Sequence, residues 1–152
     1  MKKILISSCL LGENVKYDGT NNDIRNHPFI KHLLDLDLFV PVCPEILGGL
    51  STPRVPVEII GKKAIDKNGD DKTKEFHLGA SKAYDLAQEE GIKMAILKSR
   101  SPSCGVGYIY DGSFSKKLVK NDGVSASLLK SHNIAVFSED DLKSAENFWK
   151  NL

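Results

Sequence analysis

The sequence lacks three features that would place it in a specialised class: a long apolar run, a large excess of one charge, and a dense set of cysteines. No run approaches the roughly 20 apolar residues of a membrane helix, and the first apolar stretch is too short for a signal peptide. The net charge of +1 provides no basic surface for intact nucleic acid or an anionic membrane. We therefore expect a cytoplasmic protein that binds neither a membrane nor intact nucleic acid.

The chain has only three cysteines, an odd number that argues against a disulfide framework in a reducing compartment. The simplest interpretation treats them as small hydrophobic core residues. The remaining composition is ordinary for a globular protein, with 41% hydrophobic and 27% charged residues. A length of 152 residues suits one buried core, so we expect a single domain over residues 1–152.

Four short apolar runs predict the strands of a sheet. They do not alternate with polar residues, as is typical of strands buried on both faces of a parallel sheet: Lys3–Ser8, Leu38–Cys43, Lys93–Lys98 and Ile134–Phe137. Predicted helices separate or follow them: Pro28–Leu36, Thr73–Glu89, Gly123–Ser131 and Glu139–Lys150. A further segment, Val57–Lys67, predicts a small exposed β-hairpin. This order predicts an α/β fold, a single three-layer α/β/α domain with a mainly parallel, Rossmann-like sheet.

The positions of the cysteines relative to these strands favour a shared site. Cys9 directly follows the first strand, Cys43 ends the second, and Cys104 lies in the loop after the third. The carboxyl ends of parallel strands lie at one edge of the sheet, where α/β proteins bind their ligands. We therefore expect the three thiols, distant in sequence, to be neighbours in space.

Three thiolates suit zinc or an iron–sulfur cluster better than magnesium or calcium. Structural zinc takes a fourth ligand, and the sequence has no CxxC pair to supply it. The histidines, which we expect at the surface or in packing contacts, are His27, His32, His77 and His132. Iron–sulfur clusters normally take four cysteines, so a cluster held by three would leave one iron open to a substrate.

Several motifs around the cysteines resemble the thiouracil desulfidase family, whose members are three-cysteine [4Fe–4S] proteins. The matching stretches are Ser7–Gly12, Val15–Gly19, Pro41–Glu45, Gly48–Leu50, Thr52–Arg54, Lys98–Gly105 and Asp122–Ala126. The resemblance implies a [4Fe–4S] cluster held by Cys9, Cys43 and Cys104. It also implies that Glu45 and Ser101 are catalytic residues and that the substrate is a small thiolated nucleobase or nucleoside.

The expected reaction is a non-redox desulfuration in which an open iron acts as a Lewis acid, water replaces the sulfur, and sulfide is released. Glu45 is the candidate base, with a helix-capping carboxylate as its alternative role. Ser101 would contact the substrate or transfer a proton, or else only form the turn before Pro102. The less specific candidates for substrate contacts are Tyr17, Asp18, Asn21, Asn22 and Arg54.

Further charged groups near the motifs have two interpretations. Lys98 and Arg100, together with Arg54, would offset a negative cluster or bind an anion, and solvated surface charge is the alternative. The helix start at Asp122-Gly123 would offer free backbone N–H groups to an anionic ligand.

Two other functions fit the same residues. One is a non-enzymatic iron–sulfur or thiol sensor, or a sulfur-binding module. The other is a structural-zinc interaction domain. An acid–base pair such as Glu45 and Ser101 favours the enzyme, because a sensor does not need one.

Overall fold

The computed structural model describes all residues from Met1 to Leu152. Its central sheet contains four parallel strands in the spatial order β2 (Phe39–Val42), β1 (Ile4–Ser7), β5 (Met94–Leu97) and β8 (Ala135–Ser138). Each strand begins and ends within one residue of its predicted run. The apolar runs form strands because β-branched and aliphatic side chains pack well on a pleated surface that is covered on both sides.

Four helices cover the two faces of this sheet. Helices α1 (Pro28–Asp35) and α5 (Leu142–Lys150) cover one face, and α3 (Thr73–Glu89) and α4 (Val124–Ser131) cover the other. The predicted three-layer α/β/α architecture with a mainly parallel sheet is thereby confirmed. None of the helices has the length and apolar character needed to span a membrane.

Alternate residues of the strands supply the two cores. Ile4 and Ile6 pack with α1 and α5, whereas Leu5 packs with α3 and α4, and all three side chains are fully buried. Burying one such side chain contributes about 1.5–3 kcal/mol before the loss of conformational entropy is counted. The continuous apolar sequence of β1 thus serves both faces at once.

The order of the strands creates a switch point. The chain passes from β1 to β2 on one side and later adds β5 and β8 on the other side of β1. The loops that leave β1 and β5 therefore diverge at the carboxyl edge and open a crevice there, which is the usual ligand position in such sheets.

Two antiparallel hairpins accompany the central sheet. The predicted hairpin forms from β3 (Val57–Ile60) and β4 (Lys63–Asp66). The expectation that it is exposed is wrong, because Val57 and Ala64 are buried against Phe76 of α3. A second hairpin, β6 (Tyr108–Tyr110) with β7 (Leu118–Lys120), was not predicted, and β7 is exposed along its whole length.

The helix boundaries differ from prediction in two places. The segment predicted as one helix from Glu139 begins with a separate 3₁₀ turn, Glu139–Asp141, and α5 follows it. A single helical turn, α2 (Pro44–Leu47), follows Cys43 and was not predicted, because four residues are too few to show a helical period.

Two glycines bring α2 and α3 into backbone contact. A Cβ atom at Gly48 would overlap the carbonyl oxygen of Glu75, and one at Gly79 would overlap that of Pro44. Only glycine permits this approach. The contact fixes α2 against α3, and with it the positions of Cys43 and Glu45 at the two ends of the Cys43-Pro44-Glu45 segment.

Candidate active site

A cavity of about 430 Å³ opens at the carboxyl edge of the central sheet, within the size range of small-molecule sites. Its floor includes the residues that follow β1, β2 and β5, and all three cysteines line it. The two hairpins supply its outer wall through Glu58 and Tyr110. The structure thus brings together thiols that lie far apart in the sequence, as the strand order predicts.

All three thiols are free, and each has a raised pKa. Burial raises the pKa of Cys104 to about 12, although hydrogen bonds from Ser7 and Ser103 lower it. Burial also raises the pKa of Cys9 to about 11, against the lowering effect of the Lys98 charge. A thiolate at Cys9 or Cys43 raises the pKa of Cys104 further, so the three sulfur atoms share one electrostatic environment.

The donor set fits a polynuclear metal cofactor better than a single ion. No group of three or more His, Cys, Asp or Glu side chains gathers tightly enough to hold one metal ion. Three thiols spread around one cavity instead suit a cluster in which each ligand binds a different metal atom. Cationic metal would also stabilise the thiolates that burial disfavours.

The carboxylate of Glu45 is fixed at the cavity wall by an ion pair. Arg54 Nε lies 3.0 Å from Glu45 Oε1, and the two side chains are only 8% and 12% exposed. The other two guanidinium nitrogens of Arg54 donate to the carbonyls of Val15 and Ser51 and to Thr52 Oγ1. Arg54 is therefore occupied in holding Glu45 and the surrounding loops.

The serines before Cys104 connect to Glu45. Ser101 Oγ accepts hydrogen bonds from the backbone N–H of Cys104 (3.0 Å) and of Ser103 (3.2 Å). Ser103 Oγ lies 3.0 Å from Ser101 Oγ and donates to Glu45 Oε2 at 2.8 Å. Sequence reasoning did not single out Ser103, although its place directly before a candidate cluster ligand was a usable signal.

A second ion pair lies beside Cys9. Lys98 Nζ is 3.0 Å from Glu139 Oε2, with side chains 15% and 7% exposed. Glu139 also accepts from the backbone N–H of Ser99 at 2.6 Å. Lys98 lines the cavity and Glu139 does not. Glu139 was missed, yet it directly follows β8 and so satisfies the same strand-end rule as the cysteines.

Comparison with known proteins decides the family. The model of the family described as 2-thiouracil desulfurase matches residues 4–141. The chain belongs to this family. The resemblance seen in the sequence is thereby confirmed, and the match takes in every candidate site residue.

One similar sequence and one similar solved structure extend the comparison of this desulfurase family member to the whole chain. The uncharacterized protein YbbK of Bacillus subtilis (strain 168) is 42% identical over 149 residues, covering 91% of this chain and 97% of YbbK. A solved structure, described as the [4Fe-4S]-dependent thiouracil desulfidase TudS, is 39% identical and superposes with a TM-score of 0.97 over 100% of both chains. The likeness to TudS therefore includes the whole fold and every loop around the cavity.

The polar loop after Cys9 is only partly at the site. Tyr17 lines the cavity, but Asp18, Asn21 and Asn22 do not. Their side chains have other partners within the desulfurase fold. Asp18 accepts from Thr20, Asn21 donates to Asn14, and Asn22 donates to Glu139.

The remaining candidates are placed as follows. Lys98 and Arg100 line the cavity, together with Lys16, Lys67 and Lys116. The idea of a free helix start at Asp122-Gly123 is wrong, because the N–H groups of Val124 and Ser125 donate to the carbonyls of Pro102 and Ser103. None of the histidines lines the cavity.

Proposed function

We propose that this protein is a [4Fe–4S]-dependent enzyme that replaces the sulfur of a thiolated pyrimidine with oxygen and releases sulfide without net redox change. The substrate would be a free base or nucleoside, and the compartment the cytoplasm. The observation that carries the proposal is the convergence of three free thiols and a fixed carboxylate on one cavity. Membership of the 2-thiouracil desulfurase family supports it.

Cys9, Cys43 and Cys104 would hold the cluster, because they are the chain's only thiols and all line the cavity. When bound, such a cluster supplies one iron without a protein ligand, which can act as a Lewis acid toward the substrate's sulfur. Lys98 reduces the cost of ionising Cys9, whereas at Cys43 the opposing effect of Glu45 is larger than that of Arg54. The chain therefore provides cationic support for the Cys9 thiolate, which burial alone would keep protonated.

Glu45 is the proposed general base. Its Oε1 is held by Arg54 and its Oε2 by Ser103, so the carboxylate has one orientation. An ionised carboxylate has about four lone-pair positions, so both oxygens keep capacity to accept a proton. A base held in place in a partly dry cavity contributes typically 10²–10⁴-fold to the rate.

Ser101 and Tyr17 are the proposed contacts of the substrate. Ser101 lies at the cavity wall, and two backbone N–H groups hold its oxygen in a fixed position there. Tyr17 offers an aromatic ring on which a pyrimidine can stack. Arg54 supports Glu45 instead of contacting the substrate, and we exclude Asp18, Asn21 and Asn22 from the proposed contacts because they do not line the cavity.

The test begins with anaerobic reconstitution of the purified chain with iron and sulfide. We expect roughly four irons and four sulfides per chain, followed by conversion of 2-thiouracil to uracil with equimolar sulfide. Cys104→Ser, purified and treated identically, is the matched control and should lose both. A stable cluster without any turnover would instead favour the sensor, and one bound zinc without iron would favour the structural domain.

A further inference from the structure

We propose that Ser103 is a positioning residue that joins Ser101 to Glu45, so that these two groups act as one proton-transfer unit. The inference rests on the proposed function and extends it. Glu45 has no direct hydrogen bond to Ser101, whereas Ser103 contacts both. Without Ser103, the proposed base and the proposed substrate contact would be chemically separate.

The hydrogen-bond inventory fixes the direction of the chain of hydroxyls. Ser101 Oγ has two lone pairs, and the N–H groups of Ser103 and Cys104 use both. It therefore cannot also accept from Ser103, and the 3.0 Å contact must run from the Ser101 hydroxyl to Ser103 Oγ.

The single hydrogen of Ser103 has two possible acceptors. Glu45 Oε2 lies at 2.8 Å and the sulfur of Cys104 at 3.7 Å. A carboxylate oxygen at the shorter distance is the stronger acceptor, since hydrogen bonds to ionised oxygens are about twice as strong as neutral ones. The order is therefore Ser101 to Ser103 to Glu45, with every hydroxyl donating toward the carboxylate.

Ser103 is also held in place on every side. It is only 2% exposed, and its carbonyl accepts from the N–H groups of Ser125 and Ala126 at the start of α4. A Cβ atom at Gly123 would collide with the Ser103 carbonyl group at 2.6 Å, so a glycine is needed for this contact. A residue fixed in this way can pass a proton without reorganising, which is what a relay requires.

The proton transfers balance. The Ser101 proton moves to Ser103, and the Ser103 proton moves to Glu45, which becomes a carboxylic acid. Water takes the place of the longer N–H contact on Ser101 Oγ, that of Ser103 at 3.2 Å, and gives a proton to the Ser101 oxygen as the water oxygen bonds to the ring carbon. The carbon–sulfur bond breaks with its electrons on sulfur. The proton on Glu45 returns along the same hydroxyls to the departing sulfur, which leaves as HS⁻, and the second water proton leaves the new ring oxygen for bulk water as the carbonyl forms.

The test compares Ser103→Ala and Ser103→Thr in the reconstituted holoenzyme. We expect Ser103→Ala to keep the cluster absorbance and the KM for 2-thiouracil while kcat falls about 100-fold, and Ser103→Thr, which keeps a hydroxyl, to recover most of that loss. In a Ser101→Ala background, Ser103→Ala should cost less than about twofold, because the relay is already broken.

The opposite results are equally clear. An equal loss of kcat in both backgrounds would make Ser103 a structural residue and overturn the relay. If Ser103→Ala does not fold, the proton inventory of the wild-type enzyme in mixed H₂O and D₂O replaces it, with a curved plot expected and a linear plot overturning the relay. Wild-type holoenzyme that releases no sulfide would overturn the proposed function itself, whereas an active wild type with an equally active Ser103→Ala overturns only the relay.

Discussion

Two ion pairs at the cavity use the same chemistry in opposite orientations. Beside Cys43, the carboxylate of Glu45 and the cation of Arg54 both line the cavity, and every hydrogen bond that Arg54 makes goes to the protein. Beside Cys9, the Lys98 cation lines the cavity and its carboxylate partner, Glu139, lies behind it. The first pair leaves a carboxylate, the proposed base, facing the cavity, and the second leaves a positive charge beside the proposed metal ligands.

The opposite orientations of the two ion pairs give the cysteines beside them different electrostatic surroundings. The Lys98 charge lowers the pKa of Cys9 more than the Glu139 charge raises it, although burial still leaves this pKa raised. At Cys43, the coulombic effect of Glu45 raises the pKa and that of Arg54 lowers it. We therefore assign proton transfer to the Glu45 pair and cluster retention to the Lys98 pair.

The largest expected effect comes from exchanging each carboxylate for its amide. Glu45→Gln keeps one oxygen that can accept from Arg54, but it replaces the oxygen that accepts from Ser103 with an NH2 and cannot take a proton, so kcat should fall by roughly 10²–10⁴ while the brown cluster absorbance remains. Glu139→Gln, the matched control, should lower kcat by less than about tenfold, since Glu139 does not line the cavity. Steady-state sulfide release measures both, and equal losses would remove the distinction between the pairs.

The second effect concerns stability. Lys98→Met leaves the Glu139 carboxylate without its cation in a nearly dry position, which should cost about 3 kcal/mol of unfolding free energy. Urea unfolding of the cluster-free protein measures this cost. The double variant Lys98→Met/Glu139→Gln should be more stable than the sum of the two single changes, because the uncompensated charge is gone. Additive losses would mean that the pair is not coupled.

The third effect is a pH dependence of the cluster-free protein. Burial raises the folded-state pKa of Cys104 from 9.0 to about 12, so its stabilising contribution is complete below pH 9 and is lost as the pH rises toward 12. Between pH 9 and pH 11 the loss should be about 2–3 kcal/mol, at about 1.4 kcal/mol per unit. Cys104→Ala should show a correspondingly flatter decline in urea unfolding over this range, and parallel curves would contradict the assignment.

The smallest effect comes from an exposed ion pair, which serves as a reference for the two largely buried ion pairs at the cavity. Lys3 and Glu90 lie 3.2 Å apart, with side chains 47% and 36% exposed. Water screens such a pair, so Lys3→Ala should change the unfolding free energy by only about 0.5 kcal/mol. A loss of unfolding free energy as large as that of Lys98→Met would show that burial does not explain the difference between the exposed and the buried ion pairs.

The central sheet was predictable because its signal is local. The first three residues of β1 and all of β5 are apolar, as is typical of strands covered on both faces. Once the strands were placed, the positions of Cys9, Cys43 and Cys104 relative to the strand ends predicted that the thiols meet. The hairpin of β6 and β7 was not predictable in this way. It depends on a long-range contact, in which Glu58 accepts from the backbone of Gly112 and Phe114.

The partners of the site residues were also beyond the sequence. Nothing local indicates that Ser103 contacts Glu45 or that Asn22 donates to Glu139, because these contacts depend on side-chain directions set by distant elements. Their shared position in the loop after Cys9 made Asp18, Asn21 and Asn22 equal to Tyr17 as candidates. The fold separates them, since a polar side chain near a turn more often satisfies its own loop. The single-domain organisation and the catalytic roles stay predictions.

The glycine contact between α2 and α3 has a consequence for how this enzyme could change. Gly79 does not line the cavity, yet it fixes the distance from α3 to the Cys43-Pro44-Glu45 segment. One added methyl group there, or at Gly48, would act as a wedge and push that segment outward. The distance from this segment to the other two cysteines would then increase without any change to the residues that line the cavity, so a substitution at either glycine should enlarge the cavity from outside it.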